Sequence, residues 1–271
     1  MARKYWDEKY NEWKIWIMNG GVPDSFPWSS EWKFPEDKQK NDKWKWGNCL
    51  HSARILPEPY WGNPINPCAV FININPGEVN DPSSPQALPP AHSHSYFDIA
   101  HKNALHLQNT ENWHLKRFKW AEKLNTSIKA NNCLSVELIP WHSKAASDVT
   151  KYIINNRAVI IANLKRFAQI LPEKGLLKNT FIVRSAAFMD LLSQKDFSEY
   201  FDVKNMTHHM LARKGTIEKP ISFLSIIQLK KEHGGTNFLI FHGGASNELP
   251  PLNYWVMDKN MTLKDFIQTK V

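Results

Sequence analysis

The chain of 271 residues is long enough to bury a sizeable core, and it fits one large domain, or one domain with an extension, better than two full domains. Lysine and arginine number 34 against 26 aspartates and glutamates, a formal charge of +8 that favours polyanionic partners. No apolar run approaches a membrane span, residues 1–10 are charged with no apolar stretch behind them, and Cys49, Cys68 and Cys133 form no CxxC pair. These features argue against a membrane protein, an exported disulfide scaffold, a four-cysteine zinc site and a four-thiolate iron–sulfur cluster. The expectation is a cytoplasmic monomer without membrane contact or cofactor.

Residues 5–18 place Tyr5, Trp6, Tyr10, Trp13 and Ile17 at helical spacing ahead of a Gly20-Gly21 stop. Seven of the 12 tryptophans fall in the first 46 residues: Trp6, Trp13, Trp16, Trp28, Trp32, Trp44 and Trp46. Interleaved with lysine and arginine, such rings can stack on bases. The simpler reading makes them core and staple residues of an N-terminal extension, residues 1–66, because large rings bury the most area per residue. From residue 67 to 271 the pattern becomes that of an α/β domain. Apolar runs at 68–75, 133–139, 180–184, 221–229 and 237–241 read as strands, and helical patterns at 112–128, 149–170 and 186–193 lie between them. This alternation predicts a three-layer αβα sandwich with a central, mostly parallel sheet. In such sheets sites form beyond the carboxyl ends of the strands, here at "NPGEV", "PWHSKAA" and "HGGASNELPP".

Two of these stretches carry chemistry. Asn75 at a strand tip cannot act as a base, but its amide can hold a water in one orientation, while Pro76 and Gly77 turn the chain tightly and let a ligand approach the backbone. Taken alone the triplet is an ordinary turn. His242 follows "FLIF" directly and precedes Gly243 and Gly244; alone it reads as a structural histidine, whereas at a strand tip its ring can donate to a developing anion. Paired across two strand ends, Asn75 and His242 define a candidate site.

A strand running into "INPG" (Ile74–Gly77), a middle strand ending in "SVELIPWHSK", and a last strand running into "HGGAS" (His242–Ser246) together resemble the uracil-DNA glycosylase superfamily. The likeness is greatest to its mismatch-specific branch and spans residues 67–251. The resemblance implies a monofunctional DNA glycosylase in which Asn75 orients the water attacking C1′ and His242 steadies the charge on the departing base. It implies further that Asn73, Ile74, Pro76 and Gly77 frame the pocket, that Tyr96 or Phe97 stacks on the flipped base, and that Glu137 reads its edge. His142, Ser143, Lys144, Gly243, Gly244 and Ser246 would hold DNA phosphates, with no metal required.

Two departures stand out. Family members commonly carry glycine where this chain has Asn73, and asparagine where it has Glu137. A carboxylate accepts hydrogen bonds, so it suits the N4 donor of a cytosine-like base and opposes the carbonyl that uracil offers there. A modified or cytosine-like pyrimidine is therefore the expected substrate, as for the superfamily's phage-defence glycosylases, which remove sugar-modified cytosines. Two rivals stand beside this reading. His92, His94, His101 and His106 gather around Asp98, with Asp98 and His101 three apart, a ligand-like separation on a helix that would suit a metal-dependent nuclease. A catalytically inactive DNA-binding module of the same fold is the non-enzyme alternative. "KRFKW" (Lys116–Trp120), Arg213-Lys214 and "LKKEH" (Leu229–His233) read as solvated edges, the first with two rings turned inward, and His208, His209 and His233 as surface residues.

Overall fold

A computed structural model describes residues 2–20, 27–28, 30–32, 59–74, 113–140, 150–214, 221–244 and 248–270. Helix α1 (Ala2–Met18) opens the chain, followed by β1 (Tyr60–Gly62), β2 (Ala69–Asn73), α2 (Trp113–Leu124), β3 (Cys133–Glu137), α3 (Thr150–Asn155) and α4 (Arg157–Ala168). Then come β4 (Thr180–Arg184), α5 (Ala186–Leu192), α6 (Lys195–Ser198), β5 (Thr207–Ala212), β6 (Ser222–Gln228), β7 (Asn237–His242), β8 (Trp255–Val256), β9 (Met261–Thr262) and α7 (Leu263–Lys270). Among the described residues nine strands form one sheet in the order β1-β3-β2-β4-β7-β6-β5-β8-β9. The four middle strands, β3-β2-β4-β7, are mutually parallel, and antiparallel strands extend the sheet on both sides. No helix among the described residues is long and apolar enough to cross a membrane.

Every residue of β2 and β3 is buried. Burial on both faces is why these strands read as continuous apolar runs rather than as alternating ones. One face carries Val70, Ile72, Leu134, Val136, Phe181, Val183, Phe238 and Ile240, covered by Ile160, Leu164 and Phe167 of α4 and Phe188 and Leu191 of α5. The other carries Ala69, Phe71, Cys133, Ile182, Leu239 and Phe241, covered by Phe118, Ala121 and Leu124 of α2 and Phe266 and Ile267 of α7. Helices thus lie on both faces of the sheet, as the alternating pattern predicts.

Trp6, Trp13, Trp16, Trp28 and Trp32 all belong to the first of these cores, beside Val70 and Ile72 of the sheet. Those five rings pack the interior and are not available for stacking on bases. Glu31 ties this region together, accepting from the Tyr5 hydroxyl at 2.7 Å and pairing with Lys9 at 2.5 Å. The guanidinium of Arg166 on α4 lies 3.8 Å from the Tyr5 ring centroid, a cation–π contact joining α1 to the helical layer. Trp44 and Trp46 lie outside the described residues.

Behind β4, Ser185 is the N-cap of α5, its Oγ accepting from the Phe188 amide at 3.2 Å. Replacing Ser185 with alanine is expected to cost about 1 kcal/mol. Urea unfolding checks this as a lowered midpoint at unchanged slope; an unmoved midpoint would show the cap to be idle.

Three expectations need correction. The helix expected over residues 149–170 is two helices, because Asn156 leaves helical geometry (φ −109°, ψ 15°) and begins α4; asparagine serves helix starts better than interiors. The βα alternation stops after α6, where β5, β6 and β7 form an antiparallel ladder, so β6 runs against the four parallel strands. His209 is not a surface residue. It points inward from β5, 7% exposed, packing at 4.7 Å on the Phe266 ring, with its Nδ1 2.9 Å from Asp258 Oδ2.

Candidate functional site

The carboxyl ends of β2, β3, β4 and β7 lie along one edge of the sheet. After β2 the next described helix, α2, packs on one face, whereas α5, directly after β4, packs on the other. Adjacent strands flanked by helices on opposite faces are where α/β sheets bind ligands, outside the carboxyl ends of the strands. Asn73 and Ile74 end β2 at this edge, with Arg184 of β4 beside it; Ile74 is the last described residue before Asn75.

On the α2 face the edge carries a buried polar network. Asn73 and Glu137 are direct partners in the parallel register. The Asn73 amide nitrogen donates to Ser135 Oγ at 2.7 Å and to Glu137 Oε1 at 2.6 Å, and its oxygen accepts from Arg117 Nη1. Chemistry fixes the amide's orientation, since a guanidinium can only donate and a carboxylate can only accept. Asn73 thus links a buried cation to a buried anion, and the two positions where the chain departs from the resemblance bond to each other. Burial pulls the Arg117 guanidinium down to about 10, opposed by Glu137 and reinforced by Arg184, and it stays charged at neutral pH. On α2, Arg117 is buried, contrary to its reading as part of a solvated face; Phe118 and Trp120 do turn inward.

His114, one turn earlier on α2, stacks on Trp61 with ring centroids 5.3 Å apart. Complete burial, reinforced by the Arg117 charge, holds it well below the ordinary histidine range, so it is neutral in the fold. Below about pH 6.5 the unfolded chain takes up a proton that the folded chain refuses, so stability falls on acidification and rises with pH across that window. The slope from this one group is about 1.4 kcal/mol per pH unit. Urea unfolding at a series of pH values is expected to show this slope and to lose that share of it in His114→Gln; an identical slope in the variant would remove His114 as its source.

On the opposite face, at the tip of β7, stands His242. Its ring is stacked on Phe223 at 5.5 Å and 21°, and its Nε2 is 2.8 Å from Ser225 Oγ. Ser225 is fully buried, and the same oxygen lies 2.8 Å from Nδ1 of the exposed His208. Burial, then His208, then Arg184 pull His242 below the ordinary histidine range, favouring the neutral imidazole.

The two residues after His242 need to be glycine. Gly243 and Gly244 have φ of +71° and +78°, and an added Cβ would come within 2.7 Å of the Phe223 ring and 2.6 Å of the Ile221 carbonyl. Arg184 then clasps the turn, donating to the carbonyls of Phe241 (3.1 Å), Gly243 (2.8 Å) and Glu248 (2.8 Å). Helix α2 holds the following segment: Lys116 pairs with Glu248 at 2.8 Å, and the Trp120 indole donates to the Pro250 carbonyl at 2.8 Å. The carbonyls of Gly243, Glu248 and Pro250 are thus each held by a donor from the sheet or from α2.

Of the residues singled out from the sequence, Asn73, Ile74, Glu137, His242, Gly243 and Gly244 come to one edge of the sheet. Asn73 and Glu137 face α2, and His242 faces the opposite side, two strands from Asn73 and three from Glu137, about 10 and 14 Å by the usual strand spacing. Asn75, Pro76, Gly77, Tyr96, Phe97, His142, Ser143, Lys144 and Ser246 lie outside the described residues. So does the histidine-rich stretch from His92 to His106; among the described residues no cluster of three or more metal-binding side chains occurs. Sequence reasoning missed Arg117, Arg184, Ser225 and His208 as parts of the site. At the same edge, past the end of β5, an open cavity of ≈ 480 Å³ is lined by Arg213, Lys214, Pro251, Asn253 and Tyr254. The Lys214 ammonium sits 5.2 Å from the Trp255 ring centroid. No protein-family model, curated protein or solved structure matches the chain.

Proposed function

We propose that the chain is a monofunctional DNA glycosylase that hydrolyses the N-glycosidic bond of a flipped pyrimidine, with a modified or cytosine-like base. One observation carries the reading: β2, the strand that precedes Asn75 in the chain, and β7, which carries His242, end on the same edge of the sheet, and the His242 ring is packed, hydrogen-bonded and biased to the neutral form. Cleavage of a base–sugar bond passes through an oxocarbenium-like sugar and an anionic base. Its two needs are a positioned water and a donor for the departing anion. Asn75 supplies the first, and His242, through the N–H of its neutral ring, the second.

A base other than uracil is favoured by Glu137, a carboxylate where the family commonly carries asparagine at the position that reads the base edge. The cations and rings of Arg213, Lys214, Tyr254 and Trp255 along the same edge suit flanking phosphates and unstacked bases. The test is a panel of single- and double-stranded DNAs, each with one modified pyrimidine, incubated with the protein in EDTA and then treated with alkali. The reading expects strand breaks only after alkali and only with particular bases. Breaks without alkali that vanish in EDTA would establish the nuclease, and salt-dependent binding without any abasic site would establish the inactive module.

A further inference from the structure

The hydroxyl of Ser225 has one proton to give and two imidazoles to serve. His208 Nδ1 and His242 Nε2 both lie 2.8 Å from its oxygen, and the side chain is wholly buried on the central ladder strand β6. With both rings neutral, the oxygen accepts from one ring and donates to the other, so the three groups form a directed chain. The neighbouring hydroxyl, Ser222 Oγ, donates to the His242 carbonyl at 3.0 Å.

We propose that His208 and Ser225 are positioning residues that form a proton wire from solvent to His242, running from His208 Nδ1 through Ser225 Oγ to His242 Nε2, and so leave His242 Nδ1–H as the donor to the departing base. The assignment rests on His242 being the group that meets that base. It sets the direction of the chain: a ring that must donate on its outer nitrogen while neutral has to accept on its inner one. Ser225 therefore gives its proton to His242 and takes one from His208.

The step balances. When the C1′–N bond breaks, its electron pair stays on the base, and the anion takes the proton on His242 Nδ1. Nε2 of His242 then takes the Ser225 proton, Ser225 takes the Nδ1 proton of His208, and the exposed His208 recovers one from solvent at Nε2. Water adds its hydroxyl to C1′ and returns its remaining proton to solvent, so no net charge accumulates, and rotation of the serine hydroxyl with tautomer exchange resets the wire. The charged groups acting on His242 are His208 from β5 and Arg184 from β4.

The test separates the wire from the reaction. In protein labelled with ¹⁵N in histidine, imidazole nitrogen shifts at neutral pH are expected to show His242 protonated on Nδ1 and bare on Nε2, and His208 protonated on Nδ1. Ser225→Ala is expected to redistribute the His242 tautomers. His208→Gln keeps an amide donor for Ser225 but cannot pass a proton; it is expected to leave the His242 tautomer in place, lower kcat for base release by about 10²-fold at unchanged KM, and remove one limb of the pH profile. A protonated His242 Nε2 in the wild type, tautomers indifferent to Ser225→Ala, or normal kcat in His208→Gln would each overturn the wire. The expected tautomers without base release from any DNA would support the wiring and overturn the glycosylase reading.

Discussion

Truncation of Asn75 to alanine is expected to slow base release by about 10²- to 10³-fold while leaving the unfolding midpoint unchanged. The expectation follows from what the reaction lacks on its own. Water is a weak nucleophile, and in an open crevice it samples many orientations; a fixed amide selects the one that faces C1′. Loss of a single fixed polar group aimed at the reacting atoms costs a factor of this size in hydrolases. Asn75 follows Ile74, which is 4% exposed and anchored in the first core. Single-turnover kinetics at saturating protein checks the prediction, because it reads the chemical step apart from product release. A rate near that of the wild type would show that some other group holds the water.

Removal of the Arg117 charge is the second large effect. Arg117→Met is expected to cost about 3–5 kcal/mol, since the methionine leaves Glu137 charged and only 1% exposed behind Asn73. A buried carboxylate is tolerable with its cation nearby and expensive without it. The double variant Arg117→Met with Glu137→Gln is expected to recover part of the loss, because it no longer buries an uncompensated anion. A double-mutant cycle read by urea unfolding measures this coupling. Additive losses would mean that the two charges do not sense each other through Asn73.

Five of the strands were legible as apolar runs because burial on one or both faces leaves their sequences unbroken; the run at 180–184 matches β4 residue for residue. β5 was not. Its sequence, THHMLA, begins with three polar residues, and its pattern of exposure and burial becomes clear only beside β6 and β8. The two-residue strands β8 and β9 carry no periodic signal at all. His242 could be picked out because a polar residue ending an apolar strand is conspicuous. The groups that hold the site could not, since partners from different elements meet only in three dimensions. One signal was available and overlooked: on α2, His114, Arg117, Ala121 and Leu124 follow helical spacing, so a face that buries Ala121 and Leu124 must bury Arg117 as well. A buried arginine at that position calls for a buried anion, and Glu137 provides it. Likewise Ser225 shares a strand face with Phe223 and Ile227, which marks it as an interior hydroxyl in need of partners.

Mass spectrometry of the small molecules released from DNA in the presence of EDTA tests the central claim most directly. The wild-type protein is predicted to liberate a free pyrimidine base while the DNA strand keeps its full length and gains one abasic site. Release of nucleotides or shortened strands in place of a free base, or no release from any modified pyrimidine tried, would contradict it.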